Sequence, residues 1–217
     1  MKESVKKLLH RTRQTVAVSV TLMVICGLVF PCLLTGISTL IFPNQANGNL
    51  ITVNGQTVGA ENVGQEFTED YYMWSRPSAY HYNVYTEGED GKQYYNDGTE
   101  FAGLGSGSNN YASSNPALKE RVEADLEVFL EKNPAVKRED IPTDLLTASG
   151  SGLDPHISPE SAEIQIPRIA EASGLNEEKI REIVAHNTSG KVLGVFGENT
   201  VNVLKVNIEI AQALDII

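Results

Sequence analysis

The stretch that decides the organisation of this chain is residues 15–42, TVAVSVTLMVICGLVFPCLLTGISTLIF. It is almost wholly apolar, and no charged residue occurs between Gln14 and Glu61. As a helix, these 28 residues would extend about 42 Å, more than the roughly 30 Å hydrocarbon core of a bilayer. The run therefore predicts a transmembrane helix, in which Pro31 bends but does not end the helix. A cleaved signal peptide is the weaker alternative, because its apolar region is only about 7–15 residues long.

The charges that flank this run predict its orientation. Residues 1–14 carry five basic residues and one acidic residue, whereas residues 44–60 carry no charge. Basic residues favour the cytoplasmic side of a membrane helix, so we expect the N-terminus in the cytoplasm. The chain then divides into a cytoplasmic basic tail (1–14), a transmembrane helix (15–42) and one extracytoplasmic domain (43–217).

The exported domain is strongly acidic. Removing the tail from the chain totals of 17 basic and 28 acidic residues leaves 12 and 27, a net charge of −15. Such a charge argues against nucleic-acid binding. Both cysteines, Cys26 and Cys32, lie in the apolar run. We therefore expect no disulfide in the domain, which must be held by its core alone.

Turn and capping residues predict the first elements of this domain. Asn54-Gly55 between two β-rich runs predicts a hairpin over Ile51–Val58, because these residues accept the positive φ angles of a two-residue turn. Asn115 followed by Pro116 predicts the start of a helix, and apolar residues continue at helical spacing to Asn133.

Further caps predict a helical hairpin near the C-terminus. Ser158 should cap a helix that runs to about Gly174 and breaks just before Pro167. Asn176 should cap its partner, which continues to His186.

The remaining segments complete an α+β class. Residues 192–197, VLGVFG, predict a short strand, and Asn202 predicts the start of the last helix. Aromatic residues concentrated between Tyr71 and Tyr85 favour packing against the core, with stacking on a sugar as the alternative. Residues 87–108 predict a long surface loop, whose acidic residues lack the spacing of a calcium loop.

Small and reactive residue types concentrate in residues 147–160, TASGSGLDPHISPE. A phosphate loop would need a lysine after its glycines, and none is near. A metal site on Asp154 and His156 would need further ligands, and a catalytic serine would need a G-x-S-x-G turn. We favour an ordered turn, in which Ser158 caps the following helix.

Several motifs in one order give the chain a family resemblance. The stretch 147–160, read with RPSA (76–79), SNPAL (114–118), QIPRIA (165–170) and GENTVNVLKVNIEIA (197–211), resembles the C subunit of the Kdp potassium-transporting P-type ATPase, the KdpC family. The N-terminal membrane helix and VGAENVGQEF (58–67) are also similar to that family. The acidic, tyrosine-rich residues 80–113 depart from the family pattern and are expected to be an insertion loop.

The resemblance implies a non-catalytic accessory subunit of a pump for high-affinity K⁺ uptake. Its partners would be a channel-like K⁺-translocating subunit, a P-type ATP-hydrolysing subunit, a small single-helix subunit and membrane lipid. The family is described as a catalytic chaperone that raises the ATP affinity of the hydrolytic subunit. We expect ATP and K⁺ to be handled by the complex and no cofactor to be bound directly. An extracytoplasmic domain would then act on ATP turnover only through the conformation of the complex.

No residue is expected to be catalytic or to ligate a metal. Gln165 is a nucleotide-binding candidate implied by the family alone. The candidates for folding or partner docking are Ser149, Gly150, Ser151, Gly152, Asp154, His156, Arg76, Pro77, Asn115, Pro116 and Asn202. The alternative function is a membrane-anchored extracytoplasmic hydrolase or sugar-binding protein. An extracytoplasmic sensor is less favoured, because a 14-residue tail leaves no room for an output module.

Overall fold

The computed structural model describes residues 2–217, which form two compact units divided after Asn49. The first unit is helical. Its elements are α1 (Lys2–Val24), a π-helical turn (Ile25–Val29), α2 (Phe30–Ile41) and α3 (Pro43–Ala46).

Helices α1 and α2, joined by the π turn, form one continuous helix that is charged up to Arg13 and apolar from Thr15 onward. Over the described part of the chain, Glu3–Ile41 is the one helical stretch with the length and hydropathy to cross a bilayer. Pro31 lies in the first turn of α2, directly after the π turn. Proline has no N–H to donate to the preceding turn, and a widened turn is a common accommodation of such a break. The prediction that Pro31 does not end the helix is confirmed.

The second unit, here called the folded domain (residues 50–217), mixes helices with short strands. Its elements in chain order are β1 (Leu50–Val53), β2 (Gln56–Ala60), β3 (Thr86–Glu87), β4 (Gln93–Tyr94), α4 (Pro116–Lys132), β5 (His156–Ile157), α5 (Pro159–Glu163), α6 (Ile166–Ser173), α7 (Glu177–His186), β6 (Thr188–Ser189), β7 (Thr200–Asn202) and α8 (Val203–Ala213). The strands form three antiparallel sheets, β1-β2, β3-β4 and β5-β7-β6. The predicted α+β class is confirmed.

The predicted turns and caps are present. Asn54 and Gly55 both have positive φ angles, 49° and 80°, as the hairpin between β1 and β2 requires. Each predicted cap accepts a hydrogen bond from the first turn of its helix, as seen for Asn115 with Ala117, Ser158 with Ser161, Asn176 with Glu178 and Asn202 with Lys205. The break between α5 and α6 precedes Pro167, and Gly174 ends α6 at a φ of 75°.

The core lies among α4 to α8, strand β7 and one segment without regular structure. Its fully buried apolar side chains are Met73, Ala162, Ile166, Ile169, Ile180, Val201, Val206 and Ile210. Met73 comes from residues 71–75, so this aromatic segment packs into the core as the sequence predicted.

Two predicted segments differ from expectation. Residues 192–197 do not form a strand, because Leu193, Gly194 and Gly197 all have positive φ angles and fold the chain into a tight turn. The predicted surface loop at residues 87–108 overlaps the β3-β4 hairpin, which begins at Thr86, and Tyr95 of the loop is buried. The Tyr95 ring packs on His81 and on Phe101, which gives the segment a small aromatic cluster of its own.

Candidate functional site

The motif that the sequence singled out forms one wall of an open cleft. Residues 147–156, here called the signature loop, approach Arg76 of the RPSA motif and the turn after β2. The cleft measures about 640 Å³ and is lined by Asn62, Val63, Arg76, Ala148, Ser149, Gly150, Ser151, Leu153, Asp154, Pro155 and His156.

An ion pair joins two of the predicted candidates. Arg76 Nη1 donates to Asp154 Oδ2 at 2.8 Å, and its Nη2 donates to the Thr147 carbonyl at 3.3 Å. The other oxygen of Asp154 accepts the backbone N–H of His156 at 3.0 Å, with His156 Nδ1 3.5 Å away. Both carboxylate oxygens of Asp154 therefore have partners within the chain.

These contacts determine the charge state of Asp154. Half-burial alone would raise the pKa of this carboxyl, but the hydrogen bonds from His156 and the charge of Arg76 outweigh burial and hold the pKa below its usual value. The carboxylate stays ionised at neutral pH and keeps its bond to Arg76.

The two glycines of the signature loop have different roles. Gly152 has a φ of 66°, and a side chain there would collide with the Gly107 carbonyl. Its N–H donates to Ser149 Oγ at 2.9 Å. Gly150, by contrast, has open space where a Cβ would be. Only Gly152 is required to be glycine by its surroundings.

The tyrosine-rich segment 80–113 packs directly on this loop. Gly107 of this segment donates its N–H to the Ser151 carbonyl at 2.6 Å. Just before the segment, Ser78 Oγ of the RPSA motif donates to the Gly152 carbonyl at 2.6 Å. The Tyr82 hydroxyl lies within hydrogen-bond distance of the carbonyls of Arg76 (3.0 Å) and Asp154 (3.2 Å). The predicted insertion therefore supports the signature loop.

Tyr82 is a site residue that sequence reasoning missed. It is buried, and burial raises the pKa of its hydroxyl so that it stays a neutral donor. His81, Tyr82 and Asn83 all have positive φ angles, between 45° and 58°. Three consecutive non-glycine residues in this region are strained, and Ser78 Oγ holds the turn by accepting the N–H groups of Tyr80 and Tyr82. A left-handed turn without glycine has no clear sequence signal.

Gln165 lies in the core and does not line the cleft around the signature loop. Its side chain is fully buried, and its Oε1 accepts the Trp74 N–H and Arg168 Nη2, each at 2.8 Å. Its Nε2 donates to the carbonyls of Ser161 (3.1 Å) and Trp74 (3.3 Å). Every hydrogen-bonding group of this amide is used inside the domain.

Asn207 holds the neighbouring residue in the same manner. Its Oδ1 accepts the Met73 N–H at 2.7 Å, and its Nδ2 donates to the Met73 carbonyl at 2.9 Å. We call Gln165 and Asn207, with Met73 and Trp74 between them, the amide clamp. The sequence did not single out Asn207, since its partner is 134 residues away.

Arg168 connects the amide clamp to the rest of the core. Its guanidinium donates to Asn133 Oδ1 (3.1 Å) and to the carbonyls of Asp70 (2.5 Å) and Tyr72 (3.0 Å). It also lies 4.3 Å from the ring centroid of Trp74. Burial lowers the pKa of Arg168 to about 10, so the group stays charged at neutral pH.

The other predicted candidates lie at element boundaries. Asn115 and Pro116 begin α4, and Pro77 lines two clefts beside that helix. Asn202 pairs with His156 across β7 and β5, and its Nδ2 donates to the Glu61 carbonyl at 2.8 Å. The structure brings Arg76, Ser149 to Gly152, Asp154 and His156 together, and it leaves Asn115 and Pro116 outside this group.

The cleft offers little for direct chemistry. Across residues 2–217, no three His, Cys, Asp or Glu side chains group as metal ligands. Ser149 Oγ and Ser151 Oγ lie 3.3 Å from each other and bond to backbone N–H groups of the same loop. The polar groups of the loop are used to hold its own conformation.

Comparison with known proteins gives one consistent result. Residues 12–212 match the family described as KdpC, the K⁺-transporting ATPase c chain. The chain is 55% identical over 197 residues to the potassium-transporting ATPase KdpC subunit of Clostridium kluyveri, with 91% of each chain covered. It is 56% identical to the subunit of that name from Clostridioides difficile over 200 residues, covering 92% of this chain and 96% of that one. The KdpC subunit of Caldanaerobacter subterraneus is 44% identical over 202 residues, covering 93% and 95%.

Proposed function

The chain belongs to the KdpC family of K⁺-transporting ATPase c chains, and from this premise we propose that its folded domain is a rigid docking module for the other subunits of the pump. It is an accessory subunit of a K⁺-transporting ATPase and not an enzyme on its own. The alternative of an anchored hydrolase or sugar-binding protein is not favoured by this membership.

One observation carries the docking proposal. The Arg76 to Asp154 ion pair joins RPSA to the signature loop, and the loop's serines and Gly152 are bonded to one another or to Ser78. A loop saturated in this way presents a fixed shape and has few groups left for chemistry. A preorganised surface binds a partner without the entropy cost of ordering it.

The partners we propose are the channel-like K⁺-translocating subunit, the P-type ATP-hydrolysing subunit and the small single-helix subunit. The chain is membrane-anchored through its N-terminal helix. Five basic residues in positions 1–14 support a cytoplasmic N-terminus, and with it an extracytoplasmic folded domain. Thiol labelling of single cysteines placed in the folded domain, in intact cells and in opened membranes, tests this orientation. Labelling only in opened membranes would contradict it.

We further propose that the chain raises ATP affinity only indirectly, through the conformation of the complex. The burial of Gln165 supports this, because its amide has no free group to offer a nucleotide. Titrating the purified chain alone with a fluorescent ATP analogue should show no binding. Saturable binding that is lost in Gln165→Glu would contradict the indirect route.

The decisive experiment uses His156→Ala in the full complex. The change removes the ring beside Asp154 and leaves the backbone N–H that bonds its carboxylate. We expect weaker co-purification of the other subunits and lower K⁺-stimulated ATP hydrolysis, with no change in metal content. A stoichiometric metal that disappears in this variant would instead indicate a metal centre. His186→Ala, an exposed histidine on α7, is the control.

A further inference from the structure

The folded domain carries an exposed apolar projection in a segment separate from the signature loop. Between β6 and β7, a turn presents Val192, Leu193, Val195 and Phe196, which we call the apolar tip. Their side chains are between 66% and 86% exposed, the range of a surface with nothing packed on it. Four large apolar residues within five positions form a concentrated patch, whereas singly exposed apolar residues are ordinary.

The backbone of the apolar tip is preorganised. Val192 and Phe196 exchange hydrogen bonds, N–H to carbonyl, at 2.8 Å and 3.0 Å. Leu193 lies at a φ of 54°, a conformation that costs a bulky residue free energy and that asparagine or glycine adopts more readily. The turn therefore holds a leucine at its most projecting position at a cost to its own stability. Selection for folding alone would favour a different residue there.

Charge decides which occupant fits the apolar tip. Residues 15–217 carry a net charge of −15, so a second copy of this chain or an anionic lipid surface would be repelled. The tip itself has no charge, and only Lys191 and Glu198 flank it. An apolar depression on a different protein avoids this repulsion. Other protein subunits are available as partners, since the chain is a subunit of a K⁺-transporting ATPase.

We propose that the apolar tip inserts into an apolar depression on another protein subunit of the K⁺-transporting ATPase. The proposal rests on the proposed function as a docking module. It assigns a docking role to residues 192–197, for which the sequence analysis predicted a strand. Burying one side chain of this size strengthens binding by about tenfold to a hundredfold. The apolar tip then contributes binding free energy, and the rigid signature loop contributes shape complementarity.

The test compares two full-length variants co-expressed with the other subunits and purified through a tag on this chain. Leu193→Asn combined with Phe196→Ser removes the two largest apolar side chains of the tip, and asparagine suits the left-handed conformation at position 193. Leu104→Asn is the matched control, because Leu104 is 84% exposed and lies outside the tip. We expect the recovered ratio of ATPase subunits to fall at least tenfold for the tip variant and to be unchanged for Leu104→Asn.

A labelling experiment covers the case in which the tip variant does not fold. Val195→Cys and Leu104→Cys are placed in a chain whose Cys26 and Cys32 are serine. Thiol labelling at position 195 should be at least tenfold slower in the complex than in the chain alone in vesicles, with equal rates at position 104. If position 195 is labelled as slowly in vesicles that hold this chain alone as it is in the complex, while position 104 is labelled fast in both, lipid covers the tip.

The outcomes separate this inference from the proposed function. If the wild-type chain recovers no ATPase subunits, the docking function fails and the tip proposal fails with it. If the wild-type chain recovers them and the tip variant does so equally, only the tip proposal is overturned. Protection by lipid alone, or equal labelling of position 195 in chain and complex, overturns it as well.

Discussion

The amide clamp and the signature loop both hold irregular backbone with polar side chains, but they do so at different depths. In the clamp, Gln165 and Asn207 are buried and bond to Met73 and Trp74 in the core. In the loop, Arg76 and Asp154 keep a fifth to a quarter of their side chains exposed, at 22% and 27%. The difference shows that the clamp serves folding, whereas the loop can be contacted by a partner.

The largest expected effect on stability comes from removing the buried guanidinium of Arg168, which bonds to the amide clamp. Arg168→Ala leaves three acceptors without a donor, Asn133 Oδ1 and the carbonyls of Asp70 and Tyr72, and removes one of the two donors to Gln165 Oε1. We expect this to cost about 3 to 5 kcal/mol of unfolding free energy. Arg181→Ala is the control, because Arg181 bonds only to Glu163 and Glu177 at the surface. Thermal unfolding of the full chain in detergent measures both. Similar losses for both variants would contradict a buried role for Arg168.

The next largest effect on stability is expected from a pair of glycine substitutions in the signature loop. Gly152→Ala meets the Gly107 carbonyl and a φ of 66°, and we expect a loss of about 2 kcal/mol or more. Gly150→Ala, two residues earlier, has open space and should change stability by less than about 0.5 kcal/mol. Chemical denaturation compares the two. Equal effects would mean that segment 80–113 does not press on the loop.

A smaller, pH-dependent effect is expected at Asp154. Since its pKa in the folded chain lies below the usual 3.8, its contribution is fully present above that value and is lost as pH falls through the folded pKa. Asp154→Asn should therefore lower stability by about 1 kcal/mol at pH 7, with the gap to wild type closing below about pH 4. Melting temperatures between pH 7 and pH 3 check this. A gap that widens in acid would reverse the assigned sign.

The smallest effect on stability is expected from a substitution in the apolar tip. Leu193→Asn should leave stability unchanged or raise it by about 0.5 kcal/mol, because asparagine adopts positive φ more readily than leucine. Melting of the single variant against Leu104→Asn measures this. A loss above about 1 kcal/mol would mean that Leu193 packs within its own domain.

Local chemistry explains what could be predicted from the sequence. A cap such as Ser158 or Asn176 acts on a residue two or three positions later, so its role is visible in a short window. The membrane helix could be predicted for the same reason, because the length and hydropathy of one continuous segment are enough to identify it. The family motifs also marked Arg76, Asp154 and His156, which the structure does bring together.

Long-range geometry explains what was missed. Trp74 and Gln165 are 91 residues apart, and Tyr82 and Asp154 are 72 apart, so no local pattern joins them. The strand predicted at residues 192–197 was wrong for a related reason. Apolar β-branched residues favour a strand, but two glycines and Leu193 with positive φ angles turned the chain back on itself.

The amide clamp also makes two backbone protons unusual reporters. Met73 and Trp74 belong to no helix or strand, yet their N–H groups are held by buried side-chain oxygens at 2.7 and 2.8 Å. Exposing either proton requires α6 or α8 to separate from residues 71–75. In deuterium exchange, these two amides should therefore be as slow as those of the central helices and should exchange only with global opening. A loop segment would then report the cooperativity of the entire folded domain.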